Sequence, residues 1–311
     1  MKPDLLFLIN LPEALLKSLS EQYNCHLYCD LDEQQFLAIA PAIRAVVSSA
    51  ESTVSGDLIA QLPALEIISV MGVGYDGVDL EAARKQNVCV TNTPGLSTED
   101  IADFTIGLLL CAARQIHTAD QYVRNGEWVQ GRYPMTGGVF GRRMGIVGLG
   151  RIGKAVALRA EAFGMSIAYT GRSKKPSESY TWHTDVKALA ADVDFLVICA
   201  SAGPETQGMI NAQVLGALGP RGILVNIARG TIVDEPALIS ALQEGQILAA
   251  GLDVFSDEPH VPQALKDLPN VVLTPHMAST TEATVQAMFA LTFENLATYF
   301  SGKPLVNQVN S

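Results

Sequence analysis

Met144-Gly145-Ile146-Val147-Gly148-Leu149-Gly150-Arg151-Ile152-Gly153 runs from a short apolar stretch directly into a glycine-rich turn, and a helical pattern over residues 154–163 follows it. Alone, G-x-G-x-x-G describes many tight turns. Between a strand and a helix it predicts a dinucleotide site, because Gly148, Gly150 and Gly153 let the backbone turn sharply and let a pyrophosphate approach the amides at the positive end of the helix. The alternative is a strand–helix turn that uses glycine only for tightness.

The strand after such a turn ends about 20 residues on, at the residue that meets the adenosine ribose, commonly Asp or Glu where the 2′-hydroxyl is bare. Here the sequence reads Tyr169-Thr170-Gly171-Arg172-Ser173-Lys174-Lys175. No carboxylate repels a 2′-phosphate, whereas Arg172, Ser173 and Lys174 offer a guanidinium fork, a hydroxyl and a point charge that suit one. NADP(H) is therefore expected, with NAD(H) possible at lower affinity; the alternative is a solvated basic loop before Pro176.

Outward from the turn, short apolar runs at residues 145–148, 166–170, 195–199, 223–227, 249–253 and 271–273 give six strand candidates, as a doubly wound dinucleotide domain requires. Before it, runs at 5–9, 45–48, 66–70 and 89–91 alternate with helical patterns and predict a second parallel sheet. One long helix is expected over residues 98–125, opened by Thr98-Glu99-Asp100, and an amphipathic helix at about 281–300 is expected to return to the first domain.

Composition bounds the function classes. Hydrophobic residues form 48% of the 311-residue chain, enough for two aliphatic cores. A net charge of −11 opposes nucleic acid and anionic membrane as partners. No apolar run reaches the ~20 residues that span a bilayer, and no basic, apolar and cleavable leader opens the sequence. Five scattered cysteines (Cys25, Cys29, Cys89, Cys111, Cys199) without a CxxC fit a reducing compartment, so the cytoplasm is expected, with no metal site.

Three stretches follow strands near the C-terminal half: Asn226-Ile227-Ala228-Arg229-Gly230, Asp253-Val254-Phe255-Ser256-Asp257-Glu258-Pro259, and Thr274-Pro275-His276. Ligands of a doubly wound sheet bind beyond the carboxyl ends of its strands. Reducing a 2-oxo acid needs a cation for the carboxylate and carbonyl, which Arg229 supplies, and a proton donor, for which His276 is suited. Glu258 would orient the ring and favour the imidazolium. Singly, each residue reads more simply as a surface ion pair or a satisfied polar group; their joint occurrence after successive strands carries the argument.

With these words in hand, the sequence resembles the D-isomer-specific 2-hydroxyacid dehydrogenases, and within them the glyoxylate/hydroxypyruvate reductase branch. The matching words are Gly72-Val73-Gly74-Tyr75-Asp76, Thr91-Asn92-Thr93-Pro94-Gly95, Gly145–Gly153, Arg229-Gly230, Gly251-Leu252-Asp253-Val254-Phe255 and Thr274-Pro275-His276-Met277-Ala278-Ser279, spread over about residues 70–280. The resemblance implies Arg229, Glu258 and His276 as the catalytic trio. It implies substrate contacts from the backbone of Val73 and Gly74, with Ser49, Arg229 and His276. For the cofactor it implies Thr98, Arg151, Ile152, Thr206, Ile227, Ala228, Arg229, Asp253, His276 and Ser279 beside the glycines and the Arg172–Lys174 loop, Asp253 lying near the nicotinamide amide. Ser201 departs from the family's usual proline, which leaves the shape of the 200–206 loop open.

The expected architecture is α/β, with two domains. Residues 1–95 plus 283–311 form a smaller flavodoxin-like substrate domain, and residues 96–282 a Rossmann-type dinucleotide domain. Hinges are expected at about 93–95 and 280–282, with a cleft that closes on substrate. A homodimer is implied, with Trp128, Tyr133 and Met135 in an arm that either reaches a partner or packs on itself. His260 reads as a loop residue, and His26, His117 and His183, which lack any carboxylate or metal-ligand spacing around them, read as structural. The substrate is expected to be a small 2-oxo acid and the product a D-2-hydroxy acid. Rival readings keep the chemistry with a larger 2-oxo acid such as 2-ketogluconate or hydroxyphenylpyruvate, or make the chain a dinucleotide-sensing corepressor-like protein; a chain that begins near its first strand and ends just past its last helix, without a basic tail, speaks against the latter.

Overall fold

The computed structural model describes residues 2–310. Twelve strands form in chain order: β1 (Asp4–Phe7), β2 (Asn24–Leu27), β3 (Ile43–Ser49), β4 (Ile67–Met71), β5 (Cys89–Thr91), β6 (Arg143–Val147), β7 (Ser166–Thr170), β8 (Thr181–His183), β9 (Phe195–Ile198), β10 (Ile223–Asn226), β11 (Ala249–Leu252) and β12 (Val271–Leu273). The chain divides into two compact units, Met1–Ser97 with Thr281–Ser311, and Thr98–Thr280.

The first unit holds a parallel five-stranded sheet in the order β2-β1-β3-β4-β5, the flavodoxin-like arrangement. One face is closed by helices that bring in Phe36, Ile59 and Ala83, with Leu62 from the turn that follows the second of them. The other takes Phe293 and Leu296 of the helix Glu282–Phe300, which the Thr281 hydroxyl caps. After that helix the chain runs back along β5, where the Asn310 side chain accepts from the Val90 amide at 2.8 Å and donates to the Val88 carbonyl at 2.7 Å, so the edge strand is covered.

The second unit holds seven parallel strands in the order β12-β11-β10-β9-β6-β7-β8. That is the doubly wound order with one added strand beyond β11. Burial on both faces explains why its inner strands read as unbroken apolar runs rather than alternations. In β9, Phe195 and Val197 enter the core beneath the helices Thr98–Arg114 and Arg151–Ala162, while Leu196 and Ile198 enter the opposite one.

Three expectations are corrected. The helix over 98–125 is two helices, Thr98–Arg114 and Ile116–Arg124, broken at Gln115, whose φ of 51° is left-handed. The second sheet has seven strands instead of the six expected, because β8 was not among the candidates. His26 and His183 do have carboxylate partners, supplied from distant sequence: Nε2 of His26 lies 2.9 Å from Asp4 and Nε2 of His183 2.8 Å from Asp192.

Candidate active site

Every strand of the second sheet runs the same way, so the residues that follow β6, β7, β9, β10, β11 and β12 emerge along one edge. The glycine turn follows β6. Gly148 has φ +94° and its α-carbon faces the Cys199–Ala200 backbone, where a Cβ would stand 2.7 Å from the Ala200 α-carbon; a Cβ on Gly153 would strike the Gly148 carbonyl. The helix Arg151–Ala162 begins from Gly150 with no side-chain cap, and nothing lies within 4 Å of where a Gly150 Cβ would be. An uncapped helix start beside a backbone stripped of side chains is a cradle for a pyrophosphate, so the residues present fit a dinucleotide.

After β7, Arg172, Ser173 and Lys174 are exposed. After β9, the Thr206 hydroxyl donates to the carbonyls of Ser201 (3.0 Å) and Gly203 (3.1 Å), which closes the loop at the position where proline was expected. Ile227 is buried, while Ala228 and Ser279 are half-buried and Thr98 opens the helix of its own name.

Arg229 is set by Asn226, the last residue of β10. The Asn226 side chain donates to the Arg229 carbonyl at 2.9 Å and accepts from the Ala228 amide at 3.1 Å, an Asx-type turn that brings the chain off the sheet with Arg229 extended. Nη1 of Arg229 donates to the Ala228 carbonyl at 2.8 Å. Gly230 then passes against the Phe255 carbonyl and the Ser256 amide so closely that a Cβ has no room. This contact brings the Arg229 turn to the loop that carries Glu258. Glu235 accepts from the Ser256 amide at 3.3 Å and braces the same loop.

Asp253 follows β11 and is fully buried. Its Oδ1 accepts from the Thr274 hydroxyl (2.6 Å) and the Met277 amide (3.0 Å), and its Oδ2 from the Ala278 amide (2.9 Å). Its carbonyl accepts from the His276 amide at 2.8 Å. A single carboxylate thus holds the whole 274–278 loop in which His276 takes a left-handed φ of 50°, a conformation that costs free energy in a residue with a Cβ and persists only where the surroundings impose it.

The outcome is a direct pair: Nδ1 of His276 lies 2.7 Å from Oε2 of Glu258, whose Oε1 accepts from the Phe255 amide at 2.9 Å. Burial would push the Glu258 carboxyl up. The hydrogen bonds from His276 and the Phe255 amide, with the charges of His276 and Arg229, outweigh it and hold the group below its usual range. The charge of Arg229 adds to this effect, and the approach of Gly230 to Phe255 brings the Arg229 turn beside the Glu258 loop. His260 is exposed on the loop beyond, with Asp257 3.6 Å away.

In the first unit, the substrate-loop candidates are tied to β5. Thr93 exchanges two 2.9 Å bonds with Gly72, its hydroxyl accepting from the Gly72 amide and its own amide donating to the Gly72 carbonyl. Asn92 donates to the Val73 carbonyl at 2.9 Å, so Val73 and Gly74 sit on a braced loop. Ser49 ends β3 with its hydroxyl 3.0 Å from that of Ser52.

The sequence assigned no role to Asn226, Gly230 or Glu235, and none to Asp253 as a brace. Only an Asn at a strand end, two residues before an amide that could return to it, was a usable signal.

Comparison with known proteins agrees with this geometry. Residues 106–278, more than half of the chain, match the D-isomer specific 2-hydroxyacid dehydrogenase, NAD binding domain. The chain is 50% identical over 278 residues to a hydroxyphenylpyruvate reductase of Plectranthus scutellarioides, covering 89% of each chain. It is 42% identical over 308 residues, 99% of each, to a 2-ketogluconate reductase of Gluconobacter oxydans. Among solved structures, the NADPH-dependent glyoxylate/hydroxypyruvate reductase of Sinorhizobium meliloti, in complex with NADP and malonate, superposes with a TM-score of 0.92 at 39% identity, over 99% of this chain and 97% of that one. A doubly wound sheet with its glycine cradle, a carboxylate-held histidine and relatives of this closeness lead to one conclusion: the chain belongs to the D-isomer-specific 2-hydroxyacid dehydrogenase family.

Proposed function

We propose that the chain is an NADPH-preferring reductase that converts a small 2-oxo acid of the glyoxylate or hydroxypyruvate type into the D-2-hydroxy acid. The observation that carries the reading is the 2.7 Å pair between His276 and Glu258 within the field of Arg229. A bound reduced nicotinamide supplies the hydride. Arg229 pairs with the substrate carboxylate and donates toward the carbonyl oxygen, so charge growing there meets a fixed cation. His276 gives that oxygen a proton from Nε2, while Glu258 on Nδ1 fixes the ring and supports its cationic form before transfer. Asp253 keeps the His276 loop in place. The amides of Val73 and Gly74, with Ser49, are proposed for the carboxylate as well, and the glycine turn, Thr98, Arg151, Ile152, Thr206, Ile227, Ala228 and Ser279 for the cofactor.

NADPH is favoured over NADH because the stretch after β7 offers Arg172, Ser173 and Lys174 and no carboxylate at the ribose position. A homodimer is supported by apolar side chains exposed along and beyond the helix Ile116–Arg124: Trp128 is 64% exposed, Val129 91%, Met135 101% and Phe140 85%. Tyr133 instead packs within the arm, its hydroxyl 2.6 Å from that of Thr118 and its ring against Tyr122. Among the described residues no helix is long and apolar enough to cross a membrane. The cytoplasm is assigned on five free cysteines, in keeping with a reducing compartment.

The test is NADPH oxidation with glyoxylate, hydroxypyruvate, 2-ketogluconate and hydroxyphenylpyruvate. The reading expects the highest kcat/KM with one of the first two. A clear preference for a larger acid would transfer the assignment to the second reading, which the hydroxyphenylpyruvate and 2-ketogluconate reductases among the relatives favour. Turnover with none would contradict both.

A further inference from the structure

The loop that follows β7 is held at both ends and open in the middle. Thr170, the last residue of β7, donates its hydroxyl to the His183 carbonyl at 3.0 Å. Five residues on, the Lys175 amide donates to the Tyr169 hydroxyl at 2.8 Å, and the Glu178 amide returns to the Lys175 carbonyl at 3.1 Å. Tyr169 is 1% exposed and packs in the core cluster that contains Ala155, Val156 and Ala160 of the helix Arg151–Ala162. From the first turn of that helix, Lys154 makes an ion pair with Glu178, whose side chain is 17% exposed. Between these tethers, Arg172, Ser173 and Lys174 are exposed and engage no other side chain or backbone group among the described residues.

Two physical effects follow. A loop already ordered by its ends does not have to lose backbone freedom when an anion binds, so the binding free energy of its cations is not spent on ordering it. Glu178 is also the one carboxylate between Gly171 and Tyr180, and its charge would oppose a phosphate. Lys154 compensates it: chiefly through this hydrogen bond, the Glu178 carboxyl is held below its usual range, so the pair is ionised and locally neutral.

We propose that Tyr169 and the Lys154–Glu178 pair are positioning residues for coenzyme choice, fixing the 171–178 loop on the dinucleotide helix so that Arg172, Ser173 and Lys174 face the adenosine 2′-phosphate. The proposal rests on the NADPH preference argued above. It is separable from it, because none of the three residues needs to touch the coenzyme's 2′-phosphate.

The test is titration calorimetry of NADP+ and NAD+ with the wild-type protein, Tyr169→Phe, Lys154→Met and the double variant Lys154→Met/Glu178→Gln. Tyr169→Phe removes one hydrogen-bond acceptor and should reduce the ratio of NAD+ to NADP+ dissociation constants by about fivefold, NAD+ binding staying within about twofold. Lys154→Met leaves Glu178 uncompensated and should reduce the ratio by roughly tenfold, part of which the double variant restores. If the wild-type protein discriminates and the variants keep its ratio, or if both coenzymes weaken in parallel, the positioning role is overturned while the preference stands. If the wild-type protein binds the two coenzymes equally, the preference itself is wrong and the loop has no phosphate to position.

Discussion

Glu258 and His276 stand 18 residues apart in sequence and meet at 2.7 Å, Oε2 to Nδ1, because each leaves the C-terminal edge of a neighbouring parallel strand. The pair is held from both sides: the Phe255 amide fixes the other Glu258 oxygen, and the Asp253 carbonyl fixes the His276 amide. Preorganisation of this kind is what general acid catalysis requires, since the ring is not reoriented as charge develops on the substrate.

The ionisation of Glu258 gives a signed pH prediction. Its folded-state carboxyl lies below the ordinary value of 4.5 despite burial, owing to His276, the Phe255 amide and Arg229. A depressed folded value contributes stability that is present above the unfolded value and is lost as pH falls through the folded one. Measured by urea denaturation between pH 5 and 3, the difference in unfolding free energy between the wild-type protein and Glu258→Gln should therefore shrink as the pH falls below about 4.5. A difference that grows over that acid range would show that Glu258 is not ionised in the fold.

Gly230 is where the Arg229 turn touches the Glu258 loop. Gly230→Ala forces a methyl group into the Phe255 carbonyl, backbone against backbone, with no side chain to move aside. We expect a loss of roughly 1–3 kcal/mol in stability. A fall of about 10²-fold in kcat/KM should accompany it as Arg229 and Glu258 are pushed apart. Retained activity in a folded variant would mean that the spacing of the two loops does not matter to the chemistry.

Asp253→Asn tests the brace. Asparagine presents one acceptor oxygen where the carboxylate satisfies Thr274, Met277 and Ala278 with two, so at least one buried donor loses its partner. The cost should be about 1–3 kcal/mol, and kcat should fall through the loss of the left-handed His276 geometry. Crystallography of the variant would check the second part, the expected result being a displaced 274–278 loop.

What could be read in the sequence and what could not divides along physical lines. Strands buried on both faces, such as β9 and β10, announce themselves as apolar runs, and the glycine turn announces the strand before it and the helix after it. The edge strands β2 (Asn-Cys-His-Leu) and β8 (Thr-Trp-His) are half-exposed and polar, so hydropathy gives no run to find. The break at Gln115 carries no glycine or proline, so the left-handed residue that divides the two helices has no local stop signal to announce it. At the site, Arg229, Glu258 and His276 were legible as residue types suited to the chemistry after successive strands. Asn226 acts within its own turn and left a local signal, whereas Gly230 and Glu235 act through approaches between separate loops, which no spacing within one stretch reveals.

As the proposed proton donor beside Glu258 and Arg229, His276 should be needed for turnover and not for coenzyme binding. The most direct measurement is the rate of NADPH oxidation by His276→Ala at saturating 2-oxo acid, with the dissociation constant for NADPH determined beside it. The expected result is a fall in kcat of about 10²-fold or more with coenzyme affinity nearly unchanged. A variant that turns over within about threefold of the wild-type rate would contradict it, since losing a general acid costs far more than that.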